Sequence, residues 1–283
     1  GIRDKLVTGV QTCALPISTM FFTLAKPPSR RLALHSILGV GLVAAIGSSL
    51  PAAAAEVRLL ASAAIKPAIE ALAPDFEKQS GHRLIARYEL TPAIPQMIEK
   101  GEPFDVTIAN PPHIDGLIRS GKIAASSQAN VAQFGVGVGV RSGAPRPATR
   151  SANELRDTLL KANSVAFVGA GTSGAFFRSL LERLKIADEM QARLRPGDIQ
   201  PILLQLTRGE VDMVVMPVPL ILAQPGAELA SPLPDELQDV IMMTAGKAAA
   251  GGQGDAADRL LGFLMSPAST AVFTAKGYQR PKQ

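Results

Sequence analysis

Pro103-Phe104-Asp105-Val106-Thr107-Ile108-Ala109-Asn110-Pro111-Pro112 is the stretch on which the reading of this chain turns. Phe104, Val106 and Ile108 alternate with Asp105 and Thr107, the period of a strand. Pro111 and Pro112 have no N–H to give a ladder, so the strand is predicted to stop at Asn110. Helical spacing flanks it, over Ile94–Lys100 before and His113–Ser120 after. Helix, strand, helix is the unit of an open α/β sheet, where ligands gather at the carboxyl ends of strands. The same pattern recurs at Val57–Ala61, Ser164–Val168 and Val211–Met216. The chain therefore reads as a set of strand ends facing one cleft.

Working outward, the N-terminal part is set aside first. Gly1–Ser18 shows neither helical nor strand period. It looks like a translated sequencing-adapter read fused ahead of a start at Met20; a short native extension is the alternative. Ser29-Arg30-Arg31 then supplies a positive end, Leu32–Leu50 is almost wholly apolar, and Pro51–Ala55 offers an Ala-x-Ala cleavage site before Glu56. That is the three-part layout of a secretory signal peptide over residues 20–55, which places the mature protein in the periplasm. A membrane anchor fits less well, because His35 and several small residues interrupt the run. Ser29–Leu34 resembles a twin-arginine signal with Ala33 where an aromatic is usual.

Of 283 residues, 29 are Lys or Arg and 24 are Asp or Glu. Five of the basic residues (Arg3, Lys5, Lys26, Arg30 and Arg31) and one acidic residue (Asp4) fall in the part set aside, so the mature chain is almost neutral. No basic patch suited to nucleic acid is implied. The sole cysteine, Cys13, lies there too, so an exported protein of this composition is held by its core rather than by disulfides.

Along the mature chain, Ile65, Ile69, Leu72 and Phe76 form a helical stripe after Ser62-Ala63-Ala64, with Pro67 in its first turn. Leu84–Tyr88 is a second strand, Glu89–Pro92 a second loop, and Ala93–Lys100 a helix. Phe134–Val140 alternates glycine with valine; an edge strand and a strand crossing between two lobes fit it equally. Ser151 is placed to cap a helix over Asn153–Lys161. Ser164–Val168 leads into Gly169-Ala170-Gly171-Thr172-Ser173-Gly174 and then a helix marked by Phe177, Leu180, Leu181 and Leu184. Strand, glycine loop, helix is an anion-binding arrangement, since the first amides of a helix are unpaired and its dipole is positive there. A capping turn closed by the Ser173 side chain explains the same residues. A further helix follows Pro196-Gly197-Asp198, Pro225–Pro234 reads as a loop, Val240–Thr244 as a strand, and two helices close the chain.

Catalytic chemistry is sparse. His82 and His113 are isolated, without the companions a metal site needs, so no metal or other cofactor is expected. Ser62, Ser173 and Ser179 have no evident base and no Gly-x-Ser-x-Gly elbow is present. The enzyme alternative is an exported hydrolase or transferase using Ser173 on the Gly169–Gly174 loop.

The order of motifs resembles the molybdate-type periplasmic solute-binding proteins of ABC importers. Its carriers are Ala61–Ala64, Gly101-Glu102-Pro103-Phe104-Asp105-Val106, Arg208-Gly209-Glu210-Val211-Asp212, and Leu261-x-Phe263-Leu264-x-Ser266-Pro267. The resemblance implies an α/β, two-lobed type II periplasmic-binding-protein fold, each lobe an open, mostly parallel sheet flanked by helices. Lobe one would take 56–133 and 239–283, lobe two 134–238. It also implies a small oxyanion held without metal by hydroxyls and amides from both lobes, no enzymatic activity, a membrane permease as partner, and a monomer. Thr91 takes the place of one ligand serine and Ala64 of another, with Ser62 two positions away. Ser173, beside Thr172, falls in a loop that gives a backbone contact, and Ile199 on a position that gives an amide. Pro217 stands where the family has a tyrosine, and Glu89 and Pro92 where it has glycines. A Glu89 turned inward would repel an oxyanion. The expected ligand-binding set is Ser62, Ala64, Thr91, Thr172, Ser173 and Ile199.

Overall fold

The computed structural model describes residues 54–281. The adapter-like segment, Met20, Cys13 and the apolar leader run lie outside the described residues. From β1 (Glu56–Ser62) the chain runs through α1 (Lys66–Ser80), β2 (Arg83–Glu89), α2 (Ala93–Glu99), β3 (Val106–Ala109) and α3 (Pro111–Arg119) to β4 (Ala129–Phe134). It continues as β5 (Val136–Arg141), α4 (Ala152–Lys161), β6 (Val165–Val168), α5 (Thr172–Arg183), α6 (Ala187–Met190), β7 (Leu194–Gly197), α7 (Ile199–Arg208) and β8 (Met213–Pro217). The last elements are α8 (Val218–Ala223), β9 (Ala227–Pro232), β10 (Ile241–Lys247), α9 (Gly254–Leu264) and α10 (Pro267–Ala275).

Two five-stranded sheets result, ordered β2-β1-β3-β10-β4 and β7-β6-β8-β5-β9. In the first, β1 pairs in parallel with β2 and β3, while β10 is antiparallel to β3 and β4. The second repeats the arrangement: β6 is parallel to β7 and β8, and β5 is antiparallel to β8 and β9. The sheets are thus evenly mixed, the parallel half of each built from a β–α–β–α–β run. Ile69, Leu72 and Phe76 of α1 cover one face of the first sheet with Leu260 and Leu264 of α9. Ile94, Ile98, Ile114 and Leu117 of α2 and α3 cover the other. The second sheet is covered by Leu155, Leu159, Phe177 and Leu180 on one side and Ile202, Leu203, Leu206 and Ile221 on the other.

The opening stretch forms a shorter strand than its alternation suggests, and all four residues of β3 are buried. The polar positions are inside because each is satisfied there. Thr107 Oγ1 donates to the Leu60 carbonyl at 2.8 Å. Asp105, 1% exposed, accepts from the Arg58 amide at 2.7 Å, from Arg58 Nη2 at 3.0 Å and from the Gln253 amide at 3.0 Å. Pro111 and Pro112 do not lie in a loop but open α3, where a missing N–H costs nothing.

Other expectations need correction. Pro225–Pro234 contains the strand β9, and Pro196-Gly197 ends the strand β7 rather than only preceding a helix. Both are edge strands, half-exposed on each side, so they lack the alternation of a strand with one buried face; Pro196 is tolerated at an edge. Val218–Ala223, unread in the sequence, is the short helix α8. The glycine–valine run is the crossing: β4 ends at Phe134 in the first sheet and β5 begins at Val136 in the second, between β8 and β9. At the joint the Gln238 side-chain amide accepts from the Val136 N–H and donates to the Val136 carbonyl, both at 2.9 Å. Gly135 leaves it room, for a Cβ there would sit 2.8 Å from Gln238 Nε2.

Burial by itself would raise the Asp105 carboxyl, but the Arg58 guanidinium and the two backbone amides outweigh it and hold the pKa below the usual carboxylate range. A depressed folded-state value contributes stability above the unfolded value and loses it as pH falls through the folded one. Asp105→Asn is expected to cost about 2–3 kcal/mol at neutral pH, hydrogen bonds to a charged group being lost. In urea melts the gap between variant and parent should narrow as pH drops below about 4.

Candidate functional site

β1 is followed in space by β2 on one side and β3 on the other, and β6 likewise by β7 and β8. Each sheet therefore has a point where the strand order reverses, and the loops leaving it diverge to opposite faces. A cavity lies where the two reversal points meet. Ser62 and Asn110, at the ends of β1 and β3, line it together with Val168 and Pro217 at the ends of β6 and β8. About 30 Å³ is open to the centre of a water-sized sphere, room for roughly two waters or one compact group.

Ser62, Ala64, Thr91, Thr172, Ser173 and Ile199 all line this one cavity. Thr91 and Ser62 are buried, and Thr91 Oγ1 donates to Ser62 Oγ at 2.8 Å. The Ala64 amide reaches Ser62 Oγ at 3.4 Å. The hydroxyl pair has two protons and uses one between its members, so one is left for the cavity. Ala64 offers no side-chain donor, but its carbonyl is fixed by the buried Tyr278 hydroxyl at 2.7 Å.

On the opposite wall the glycine loop turns into α5. Its N-cap is Gly171, at φ 89°, and no side chain caps the helix. Ser173 is thus not the capping residue that one reading of the sequence made it. The first intrahelical bond runs from the Ala175 amide to the Gly171 carbonyl at 3.1 Å. The amides of Thr172, Ser173 and Gly174 precede it and have no intrahelical acceptor. At α7 the N-cap is Asp198, again without a side-chain cap, and the Ile199 amide is in the same position. Two positive helix ends and one free hydroxyl proton converge on a cavity whose lining contains no Asp, Glu, His, Lys, Arg, Cys or Tyr.

Asn110 is the site residue that sequence reading passed over, although it ends the decisive stretch. Its Nδ2 donates to the Met242 carbonyl at 2.9 Å, and its Oδ1 accepts from Thr172 Oγ1 at 2.7 Å. The second bond joins the end of β3 in one sheet to the start of α5 beside the other, between two residues that line the cavity. The signal was available: a polar residue at the carboxyl end of a strand beside a reversal point. Glu89 is turned away. It pairs with Arg87 at 3.1 Å, and Arg87 also meets Glu102 at 2.8 Å. The repulsion feared from an inward Glu89 does not arise. Pro217 does line the cavity, so the family tyrosine's hydroxyl has no counterpart there.

Among the described residues no histidine or carboxylate is hydrogen-bonded to Ser173. His82 Nδ1 accepts from the Ala55 amide at 3.2 Å, at the far end of β1. His113 sits in the first turn of α3, outside the cavity lining; burial pushes its pKa below the usual imidazole value. A serine nucleophile in the glycine loop therefore lacks its base.

Two helix-flanked mixed sheets with facing reversal points define the type II periplasmic-binding-protein fold. The chain belongs to the family of bacterial extracellular solute-binding proteins, whose model matches residues 57–279. It is 28% identical over 213 residues to an aconitate isomerase of a Pseudomonas species, covering 74% of this chain and 81% of that protein. It is 26% identical over 256 residues to the molybdate-binding protein ModA of Azotobacter vinelandii, covering 84% and 96%. The solved structure of the periplasmic molybdate-binding protein of Azotobacter vinelandii superposes with a TM-score of 0.69 at 18% identity, over 80% of this chain and 100% of that one. This chain is a divergent member of the molybdate-type group.

The glycine loop depends on Gly174, whose missing Cβ would collide with the Val168 carbonyl oxygen at the end of β6. Gly174→Ala is expected to push α5 off the strand end and to cost about 1–3 kcal/mol. Calorimetric melting should show a fall of roughly 3–10 °C.

Proposed function

We propose that this chain is the exported substrate-binding component of an ABC importer and takes a small anion into the cavity between its lobes. The reading has lobe one as about 56–133 with 239–283, lobe two as about 134–238, a monomer in the periplasm, and a membrane permease as the partner that recognises the closed form. The observation that carries it is the lining: neutral donors at two helix N-termini and the Ser62–Thr91 pair, with no acidic group among them. A dehydrated anion exchanges its water for such fixed N–H and O–H groups without a counter-charge. A cation would face the positive ends of α5 and α7. The contacting groups would be the one uncommitted hydroxyl proton of the Ser62–Thr91 pair and the backbone amides around Ala64, Thr172, Ser173 and Ile199. The names of the relatives favour the same class, since molybdate and aconitate are both anions.

The second reading, an isomerase, is favoured by the 28% identity to the aconitate isomerase. Moving a proton on a carbon acid needs a side chain that can hold it within hydrogen-bond reach. The cavity lining supplies none, which favours binding without turnover.

Isothermal titration of the purified protein with molybdate, tungstate, sulfate, succinate and citrate tests the reading. At least one should bind at one site per chain, and Ser62→Ala should weaken it roughly 10- to 100-fold, as expected for a hydrogen bond to a charge. Heat flow indistinguishable from dilution for all five would defeat the proposal. Incubation with cis-aconitate, followed by chromatographic separation of the isomers, should show no conversion above the buffer rate; conversion would establish the isomerase instead.

A further inference from the structure

Beside the inner cavity lies a second hollow that no part of the foregoing assigns. On the same measure it is far larger, about 350 Å³ against about 30 Å³. Ala63, Ile199 and Leu220 line both, so the two share a wall of aliphatic atoms. The outer hollow is bounded by α1 of one sheet and by α7 and α8 of the other. Unlike the inner cavity it carries charged side chains, Lys66 and Glu70, together with Gln200 and Gln224.

Lys66 is oddly placed for a purely structural lysine. It is the first residue of α1, where a positive charge opposes the helix dipole, and no acidic residue stands in that turn. Its ammonium lies 5.7 Å from the centre of the Tyr88 ring and 3.6 Å from Glu70. The ring holds the side chain on the groove wall. At 3.6 Å the Glu70 contact is an ion pair beyond hydrogen-bond distance, and among the described residues the ammonium has no hydrogen-bond acceptor. Both members of the pair are half-exposed, with side-chain exposures of 50% and 58%, so the Glu70 contact is weak and open to competition.

We infer that Lys66 and the groove it lines form an outer subsite for the distal carboxylate of an elongated organic anion, whose other carboxylate occupies the inner cavity. The inference rests on the anion-binding reading given above and narrows its ligand class to small di- or tricarboxylates. The inner space admits one compact anionic group and nothing longer. The outer space is wide enough for a short carbon skeleton lying against Ala63, Ile199 and Leu220. A compact tetrahedral oxyanion would leave the outer hollow and its cation unused. Glu70 lines the same hollow, so an incoming carboxylate has to displace it from Lys66.

The test compares succinate and citrate with acetate by titration calorimetry on the purified protein, as parent, Lys66→Gln and Ala223→Phe. Ala223 is an exposed residue of α8 that lines the outer hollow and not the inner cavity, and a phenyl ring there takes up space in the hollow. The expected result is that the ratio of succinate to acetate affinity falls about tenfold in each variant, and likewise the citrate ratio. Ratios unchanged in both variants, with anions still bound, overturn the outer subsite and leave the anion-binding reading standing. Binding of molybdate or sulfate with no carboxylate bound does the same. If the parent binds no anion of any kind, the anion-binding reading fails and the subsite fails with it.

Discussion

The structure depends on one topological constraint repeated twice. In each sheet the chain lays a first strand, crosses to its neighbour on one side, and returns to the other side. Right-handed crossovers then send consecutive helices to opposite faces. This is why α1 and α2 bury their apolar stripes in separate clusters although they adjoin the same strand β1. Between the diverging connections the ends of β1 and β3, and of β6 and β8, are left uncovered. Backbone amides that a closed sheet would hide are thereby presented at a cavity. The crossing at Gly135 and the return near Gln238 turn the two uncovered ends toward each other.

The site's neutrality follows from where its donors come from. Helix N-termini and strand-end hydroxyls are fixed by the fold, so no mobile charged side chain is needed to offer positive potential. The supports around them are rigid and apolar. Tyr278, which holds the Ala64 carbonyl, packs edge-on against Phe134 and Phe273 at 5.7 and 5.6 Å. Burial raises the Tyr278 phenol well above its ordinary pKa, so it stays a donor throughout the physiological range. The charged pairs lie elsewhere. Arg58–Asp105 anchors β1 to the turn before β3, and Arg87 with Glu89 and Glu102 lies on the outer strand β2.

Much of this was legible in the residues. The reversal-point loops are marked by small residues after short apolar runs, and the six residues chosen from Ser62 to Ile199 meet at one cavity because strand ends are where such loops must lie. What the sequence concealed has specific causes. Asp105 and Thr107 look solvent-facing by alternation, yet both are buried, because partners 47 residues away satisfy them. Edge strands β7 and β9 carry proline and mixed polarity, for neither face is fully covered. The orientation of Glu89 depended on Arg87 and Glu102, the latter in the loop between α2 and β3. Asn110 was read as a strand terminator, a role that says nothing of its amide. Only the spatial meeting of β3 with α5 shows what that amide does.

That meeting bears on how the two sheets are joined at the cavity. Thr172 has a single hydroxyl proton, and it is given to Asn110 Oδ1. The Asn110 amide cannot turn to release it without also giving up Met242. The Thr172 side chain therefore serves contact between the end of β3 and the start of α5, and under the proposed reading an anion would meet only backbone amides at this point. One hydrogen bond of this kind contributes about 1 kcal/mol net, less than a tenfold bias between open and closed arrangements. A solute that touched the Ser62–Thr91 pair on one side and the α5 amides on the other would have to supply the remainder through its stronger binding to the closed form. If the two halves close on a solute as proposed, a bond this weak suits the cycle, since a stronger one would hold them together before the solute entered.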